Sequence, residues 1–330
     1  MILNVIKQSV LFIAALLLQS VLSLSSAYAA TPQDPWEMLE KAGLAAHQLS
    51  YRGVFVYQSG NQMSSMNITH INHGPQGEFA RVVVLDGAPR ELFQQGNEAV
   101  IYQPKSEKVM IEKRHIQSGF PALLPKMTAD IKANYQVQLG GVERVGGREA
   151  NVLTLTPRDT YRYANKLWID RDSGLLLKLA VFNEKNELIE QVGFNQLLLI
   201  DTGDMQWFRP SVDGSKTYEM QPEETVTPVV EAGGWVIGQL PAGFRKTEQV
   251  LRQIPGNASS MMQLVFFDGM ASVSLFIEAL DKKTPPKQCV MSQGSTNLYA
   301  TVVADHQIVV MGEVPAATVM QIARSVSKKP

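Results

Sequence analysis

Between Tyr51 and about Gln196, short apolar-rich runs alternate with turn-forming groups at the spacing of antiparallel strands. Tyr51-Arg52-Gly53-Val54-Phe55-Val56-Tyr57 is rich in aromatic and β-branched residues. Ser65–Asn72, Phe79–Leu85, Ala99–Tyr102 and Lys108–Lys113 continue the pattern. Ser59-Gly60-Asn61, His73-Gly74-Pro75 and Asp86-Gly87 separate these runs. Residues 115–134 break the rhythm with Pro121 and Pro125, and a short helix is predicted around Met127–Ala133. Strands resume at Tyr135–Leu139, Glu149–Thr156, Lys166–Asp170, Leu175–Phe182 and Glu187–Gln196. Ahead of them, Trp36, Leu39, Gly43 and Ala46 share one stripe at helical spacing. Asp34 is placed to cap that helix, with Pro35 in its first turn and Glu37 at its N-terminus.

So many strands with short connections imply one long antiparallel sheet. Twist and exposed edges forbid a flat ribbon, so the sheet must curl, close or split. With few helices to cover it, the economical shape is a curled half-barrel with helices over its concave face and an apolar cleft beneath them. The alternative is a filled core. Residues 201–230 are rich in Pro, Gly and acidic groups and read as a connector, with one short strand at Thr217–Met220. A smaller α+β unit follows over 231–330. Its strands are expected from Gly243-Phe244-Arg245 to Arg252, at Met261–Phe267 and at Ala271–Glu278, the last two joined by Asp268-Gly269. Residues 281–295 read as a loop, Leu298–Val303 and Gln307–Val310 as a hairpin, and the last helix begins near Pro315. The fold class is therefore α+β, mostly β.

The first 29 residues set the compartment. Lys7 is their only side-chain charge, the run from Val10 to Leu18 is apolar, and Ala27-Tyr28-Ala29 supplies small residues at the third and first positions before the cut. This is the pattern of a secretory signal peptide cleaved after Ala29. The run is short of the ~20 residues a membrane anchor needs. Cleavage would leave 29 basic and 31 acidic residues, a formal charge of −2. A near-neutral chain has no general attraction to nucleic acid. With Cys289 as the one cysteine, no intramolecular disulfide can form. About 300 residues bury an adequate core without one, which fits a bacterial periplasm. The predicted divisions are 1–29, 30–200, 201–230 and 231–330.

Catalytic signatures are missing: no phosphate-binding glycine loop, nucleophile elbow or paired-histidine zinc helix is present. Ser325-Val326-Ser327-Lys328 has a serine–lysine spacing that chance explains. His70 and His73 lie three apart, which on a strand points them to opposite faces, so no metal or other cofactor is expected. Asp170 and Asp172 read as solvated turn residues around Arg171. Arg158, Arg162 and Tyr163, with Asp159 and Tyr161, could hold an anionic group or a peptide backbone, or simply brace a corner. Met63, Met66, Met110 and Met127 suit an irregular apolar cleft as well as an ordinary core.

Several of these segments together resemble the MucB/RseB family. Tyr51–Tyr57 is similar to its first strand (Phe-x-Gly-Thr-Phe-Val-Tyr), and Thr156-Pro157-Arg158-Asp159 with Arg162-Tyr163 is similar to its Thr-Pro-Arg-Asp signature. Leu167-Trp168-Ile169-Asp170-Arg171-Asp172-Ser173-Gly174-Leu175-Leu176-Leu177-Lys178 follows in the expected place, then Leu240-Pro241-Ala242-Gly243-Phe244, Ser274–Glu278 and Gly312-Glu313-Val314-Pro315. The resemblance implies a large domain similar to the lipoprotein carriers LolA and LolB, a smaller domain on a linker, and no enzymatic activity. It implies a periplasmic regulator of the envelope-stress sigma factor. Such a protein binds the periplasmic region of a membrane-spanning anti-sigma factor, shields it from regulated proteolysis, and is released by lipopolysaccharide or a related lipid. Self-association stays open. Two strand faces are candidates for the lipid cleft: Tyr51, Phe55 and Tyr57, or Phe79, Val83 and Leu85. Arg158, Arg162 and Tyr163 are candidates for polar contact with the peptide. A lipid or lipoprotein carrier is the alternative function. A hydrolase using Arg158, Asp170 and Asp172 is a third, without a coherent triad.

Overall fold

The computed structural model describes residues 34–329, apart from 97, 106–107, 116–118, 125–128, 202–204, 211–213, 222–224, 230–232, 254–259 and 281–284. The expected signal segment 1–29 and its cleavage point lie outside the described residues. No helix among the described residues is long and apolar enough to cross a membrane.

The chain enters through helix α1 (Pro35–Gln48), whose buried stripe is Met38, Leu39, Ala42, Gly43, Ala45 and Ala46. Then come β1 (Tyr51–Ser59), β2 (Gln62–Asn72), β3 (Glu78–Val84), β4 (Glu91–Gln95), β5 (Glu98–Lys105) and β6 (Lys108–His115). A short helix, α2 (Ala129–Lys132), precedes β7 (Tyr135–Val145), β8 (Arg148–Pro157), β9 (Ala164–Asp170), β10 (Leu176–Phe182) and β11 (Leu188–Leu199). With β12 (Thr217–Met220) these strands form a twelve-stranded sheet in the order β12-β6-β5-β4-β3-β2-β1-β11-β10-β9-β8-β7. Every neighbouring pair is antiparallel except β12 with β6. The sheet is curled and not closed, the expected half-barrel. Its pivot is β1, which pairs with both β2 and β11 and so joins the two halves of the meander.

Local chemistry explains the less regular points. No strand is predicted at β4, because Glu-Leu-Phe-Gln-Gln carries little apolar pattern. It forms because β3 and β5 both pair with it and Phe93 is buried against Phe208, with ring centroids 5.4 Å apart. β7 runs past the predicted end at Leu139 through a bulge between Leu139 and Val142, where Gly140 and Gly141 sit. Gly53 lies next to the point where β11 bulges against β1 at Asn195; a Cβ there would come 2.4 Å from the Gln196 carbonyl oxygen.

The second sheet has the order β13-β15-β16-β17-β20-β19-β18. Its strands are β13 (Thr225–Pro228), β15 (Arg245–Gln253), β16 (Ser260–Phe267), β17 (Ser272–Ala279), β18 (Cys289–Gln293), β19 (Thr296–Val303) and β20 (His306–Gly312). A two-stranded ribbon pairs β14 (Trp235–Ile237) with β21 (Val326–Lys328). Helix α3 (Ala316–Arg324) buries Thr318, Val319, Ile322 and Ala323 on β19 and β20. The β19–β20 hairpin turns on Ala304 and Asp305, both at positive φ, the geometry that matches strand twist in two-residue turns. β18 falls within the predicted 281–295 loop; all five of its side chains are exposed, so no apolar alternation marked it. Two apolar cores result among the described residues. One joins α1 to the large sheet, and the other joins α3 to the second. The connector residues are shared out, β12 to the large sheet and β13 to the second.

Candidate functional site

The inner face of the curled sheet is decided by register. β1 and β2 pair Tyr51 with His70, Gly53 with Ile68 and Phe55 with Met66; β2 and β3 then pair His70 with Ala80 and Ile68 with Val82. Side chains alternate across a strand, so these residues face one way together. On the other side of β1, Phe55 meets Phe194 and Tyr57 meets Val192, which in turn meets Leu179. The resulting apolar floor bounds a cavity of about 480 Å³. Cavities of this size take one small organic ligand. Part of its cover comes from residues 119–123, where Phe120 packs 5.2 Å from the Phe55 ring and 4.9 Å from Phe194. The rest comes from the other sheet: Met270 and Ala271 of the β16–β17 turn, Ser295 before β19, and Glu313 after β20 all line the cavity.

Polar groups occupy specific stations in this lining. Near α1, His47 Nδ1 lies 2.7 Å from Glu78 Oε2. His70 Nδ1 is 2.9 Å from the Leu49 carbonyl, and its ring stacks on Tyr51 at 4.7 Å. Burial holds the His70 pKa below the ordinary histidine value, outweighing the Leu49 carbonyl and Glu78. Among cavity-lining groups contributed from elsewhere, Glu190 of β11 accepts a hydrogen bond from the Ser295 hydroxyl at 2.6 Å. Burial, and secondarily the charge of Glu190, raise the carboxyl pKa of Glu313. Burial and then Glu190 likewise raise the phenol of Tyr57.

The turn that closes the cavity is pinned by Arg162. Its guanidinium is fully buried and donates to the Asp268 carboxylate, to Asp159 and to the Ala242 carbonyl. It also lies over the rings of Phe244 (4.9 Å) and Tyr135 (5.8 Å). The same Asp268 accepts from the backbone N–H groups of Met270 (2.9 Å) and Ala271 (2.7 Å), the two residues that line the cavity. Other contacts run parallel to this one. Asn297 Nδ2 donates to the Tyr163 hydroxyl at 2.8 Å, and the Thr318 hydroxyl donates to the Tyr161 carbonyl at 2.7 Å.

The predicted residues therefore separate. Tyr51, Phe55, Tyr57 and Tyr163 line the cavity. Phe79, Val83 and Leu85 do not, because the β2–β3 register turns them outward and puts Ala80 and Val82 inside. Phe79 packs on Phe208 at 5.2 Å on the outer face, and Leu85 is 52% exposed. Arg162 is not offered to a ligand; it is consumed in the contact with Asp268. Arg158 is exposed, with its backbone N–H on the Asn134 carbonyl. Asp170 is buried rather than solvated. Burial opposes its charge, but hydrogen bonds from Arg148 and Ser173 prevail and hold its pKa below the ordinary value. That pairing braces the β9–β10 turn and leaves Asp172 90% exposed. Sequence reasoning missed Glu190, Glu313, Met270 and Ala271. Strand parity marks Glu190 once the β1–β11 register is known, whereas no local signal marks the other three.

Comparison with known proteins places this architecture. The profile of the MucB/RseB N-terminal domain matches residues 34–212, and that of the MucB/RseB C-terminal domain matches 229–327. The chain is 29% identical over 326 residues to the sigma factor AlgU regulatory protein MucB of Pseudomonas aeruginosa, covering 94% of this chain and 95% of that one. It is 26% identical over 310 residues to the sigma-E factor regulatory protein RseB of Haemophilus influenzae, covering 92% and 95%. Among solved structures, the P. aeruginosa MucA/MucB complex aligns with TM-score 0.70 and 28% identity over 90% of this chain and 99% of that one.

Proposed function

From the premise that the chain belongs to the MucB/RseB family, we propose that it is a periplasmic regulator of an envelope-stress sigma factor and not an enzyme. It binds the periplasmic part of a membrane-spanning anti-sigma factor, shields that client from regulated proteolysis, and lets go when a lipopolysaccharide-type lipid occupies the cavity. Residues 1–29 are its export signal, cleaved after Ala29. Residues 30–200 and 231–330 act as two domains joined by 201–230.

Two kinds of observation support this reading. Relatives matched over nearly their whole length are named as sigma-factor regulators, and MucB has been solved with MucA. The observation that carries the lipid switch is the composition of the cavity wall. Its floor belongs to the large sheet and part of its cover to the second. Each methylene buried there contributes about 0.8 kcal/mol. A ligand shifts an equilibrium only by its differential affinity for two states. An occupant of a wall built from both sheets pushes on the contact between them, so it favours whichever arrangement leaves more room.

The test is capture of the periplasmic anti-sigma fragment by the full mature chain, followed by exposure to the protease that cleaves this fragment, with and without lipid. Protection that lipid abolishes is the expected result; cleavage at the same rate with and without the protein would refute the reading. The apolar cavity also suits a lipid carrier. A carrier would move labelled lipid between vesicles without protecting the fragment.

A further inference from the structure

The charge inventory of the cavity is lopsided. Its described lining contains three carboxylates, Glu78, Glu190 and Glu313, and no lysine or arginine. Glu78 has His47 beside it at 2.7 Å. Glu190 and Glu313 make no ion pair with lysine or arginine among the described residues; the hydrogen bonds to Glu190 come from neutral groups, the Ser295 hydroxyl and backbone N–H and the Tyr57 hydroxyl. A second observation independent of charge is size: about 480 Å³ suits one chain of a lipid, not a multiply acylated glycolipid. An anionic head drawn into this space would exchange water for like charges in a medium of low dielectric, with no lysine or arginine in the described lining to meet it. An ammonium or hydroxyl would instead find acceptors already placed.

Resting on the lipid reading above, we infer that the cavity chooses its occupant by the polar end: it admits a single acyl or alkyl chain carrying an amine or hydroxyl donor beside Glu190 and Glu313, and excludes phosphate and carboxylate. A phosphorylated glycolipid then engages by one acyl chain, with its phosphates left outside. Glu190 and Glu313 are specificity-determining residues. Both oxygens of an ionised carboxylate accept and neither donates, so they discriminate against an acceptor-only head group and favour a donor.

Calorimetric titration of the full mature chain with dodecylamine and with dodecyl phosphate, below micelle formation, tests this. The salt is high enough to screen general attraction of the amine to an acidic surface. The expected result is binding of the amine at least about tenfold tighter than the phosphate, as like-charge repulsion at an effective dielectric near 20 requires. The E190Q/E313Q double variant, isosteric at both positions, should bring the two within about threefold. A V82W variant, which fills the floor, should lose both and so assign the signal to the cavity. Equal affinities for the wild-type chain, or a preference that persists in the double variant, overturn the inference while leaving the lipid reading standing. Binding of neither amphiphile overturns both. The wild-type comparison decides even where a variant fails to fold.

Discussion

Replacing Arg162 with Met removes the charge that pins the cavity-closing turn while keeping much of the side-chain volume. The side chains of Arg162 and Asp268 are both 0% exposed, so water cannot replace the lost partner. Breaking such a pair from one side costs about 3–5 kcal/mol, because the other charge stays buried. The bond to Asp159 adds little to the loss, since that carboxylate is 26% exposed and can be rehydrated. Asp268 keeps its bonds from Met270 and Ala271, so the turn itself should survive. D268N in the R162M background removes the stranded charge, and the pair of changes should then cost about 1–2 kcal/mol rather than the sum of the singles. Urea denaturation at a shared m-value gives all four corners of this cycle. The same R162M variant should release its client at a lower lipid concentration, because Met270 and Ala271 are less firmly held over the cavity. A loss below about 1 kcal/mol for R162M, or additive singles, would show that the buried pair does not hold the two sheets together.

Other expectations follow from single contacts. E313Q should raise the melting midpoint at pH 7.5. The Glu313 carboxyl titrates above its ordinary value of 4.5 in the fold. The folded chain therefore binds more protons than the unfolded one just above pH 4.5, and wild-type stability falls as pH rises through the raised pKa. The advantage of E313Q should accordingly shrink on going to pH 5, and a pH-independent gain would refute this assignment. G53A should cost about 1–3 kcal/mol in urea, since the new Cβ meets the Gln196 carbonyl oxygen at 2.4 Å and the Phe194 ring at 2.9 Å. An unchanged midpoint would show that the β1–β11 bulge yields freely. V82W should still protect the anti-sigma fragment but no longer respond to lipid; retained lipid sensitivity would place the lipid elsewhere. Reducing agent should leave the melting midpoint unchanged, because Cys289 is the only cysteine and is exposed; a shift would point to a cross-link between chains.

Most of the scaffold was legible before any coordinates. Apolar-rich runs bounded by turn-forming residues found β1, β2, β3, β5 and β6 and the run from β7 to β11, whether one face is buried, as at the start of β1, or both, as in β10. β4 and β18 escaped for opposite versions of one reason. β4 takes its pairing from two neighbours and β18 lies exposed at an edge, so neither needs an apolar alternation of its own. At the site, the stripe Tyr51, Phe55 and Tyr57 could be read from period-2 parity alone. The choice between Ala80 and Val82 or Phe79 and Val83 could not. A shift of one residue in register exchanges the two faces, and both faces of β3 are apolar enough to be buried. Phe208, more than 120 residues away in the chain, covers the outer one.

Composition, periodicity and turn chemistry thus determined a curled antiparallel sheet followed by a smaller α+β unit, since these are local preferences summed along the chain. Tertiary structure alone decided that Arg162 joins Asp268 across 106 positions and that Met270, Ala271, Ser295 and Glu313 complete a cavity floored by β1, β2 and β3. The physical reason is that a buried charge must find its partner in space. No spacing along the chain records where curling of the sheet will bring that partner.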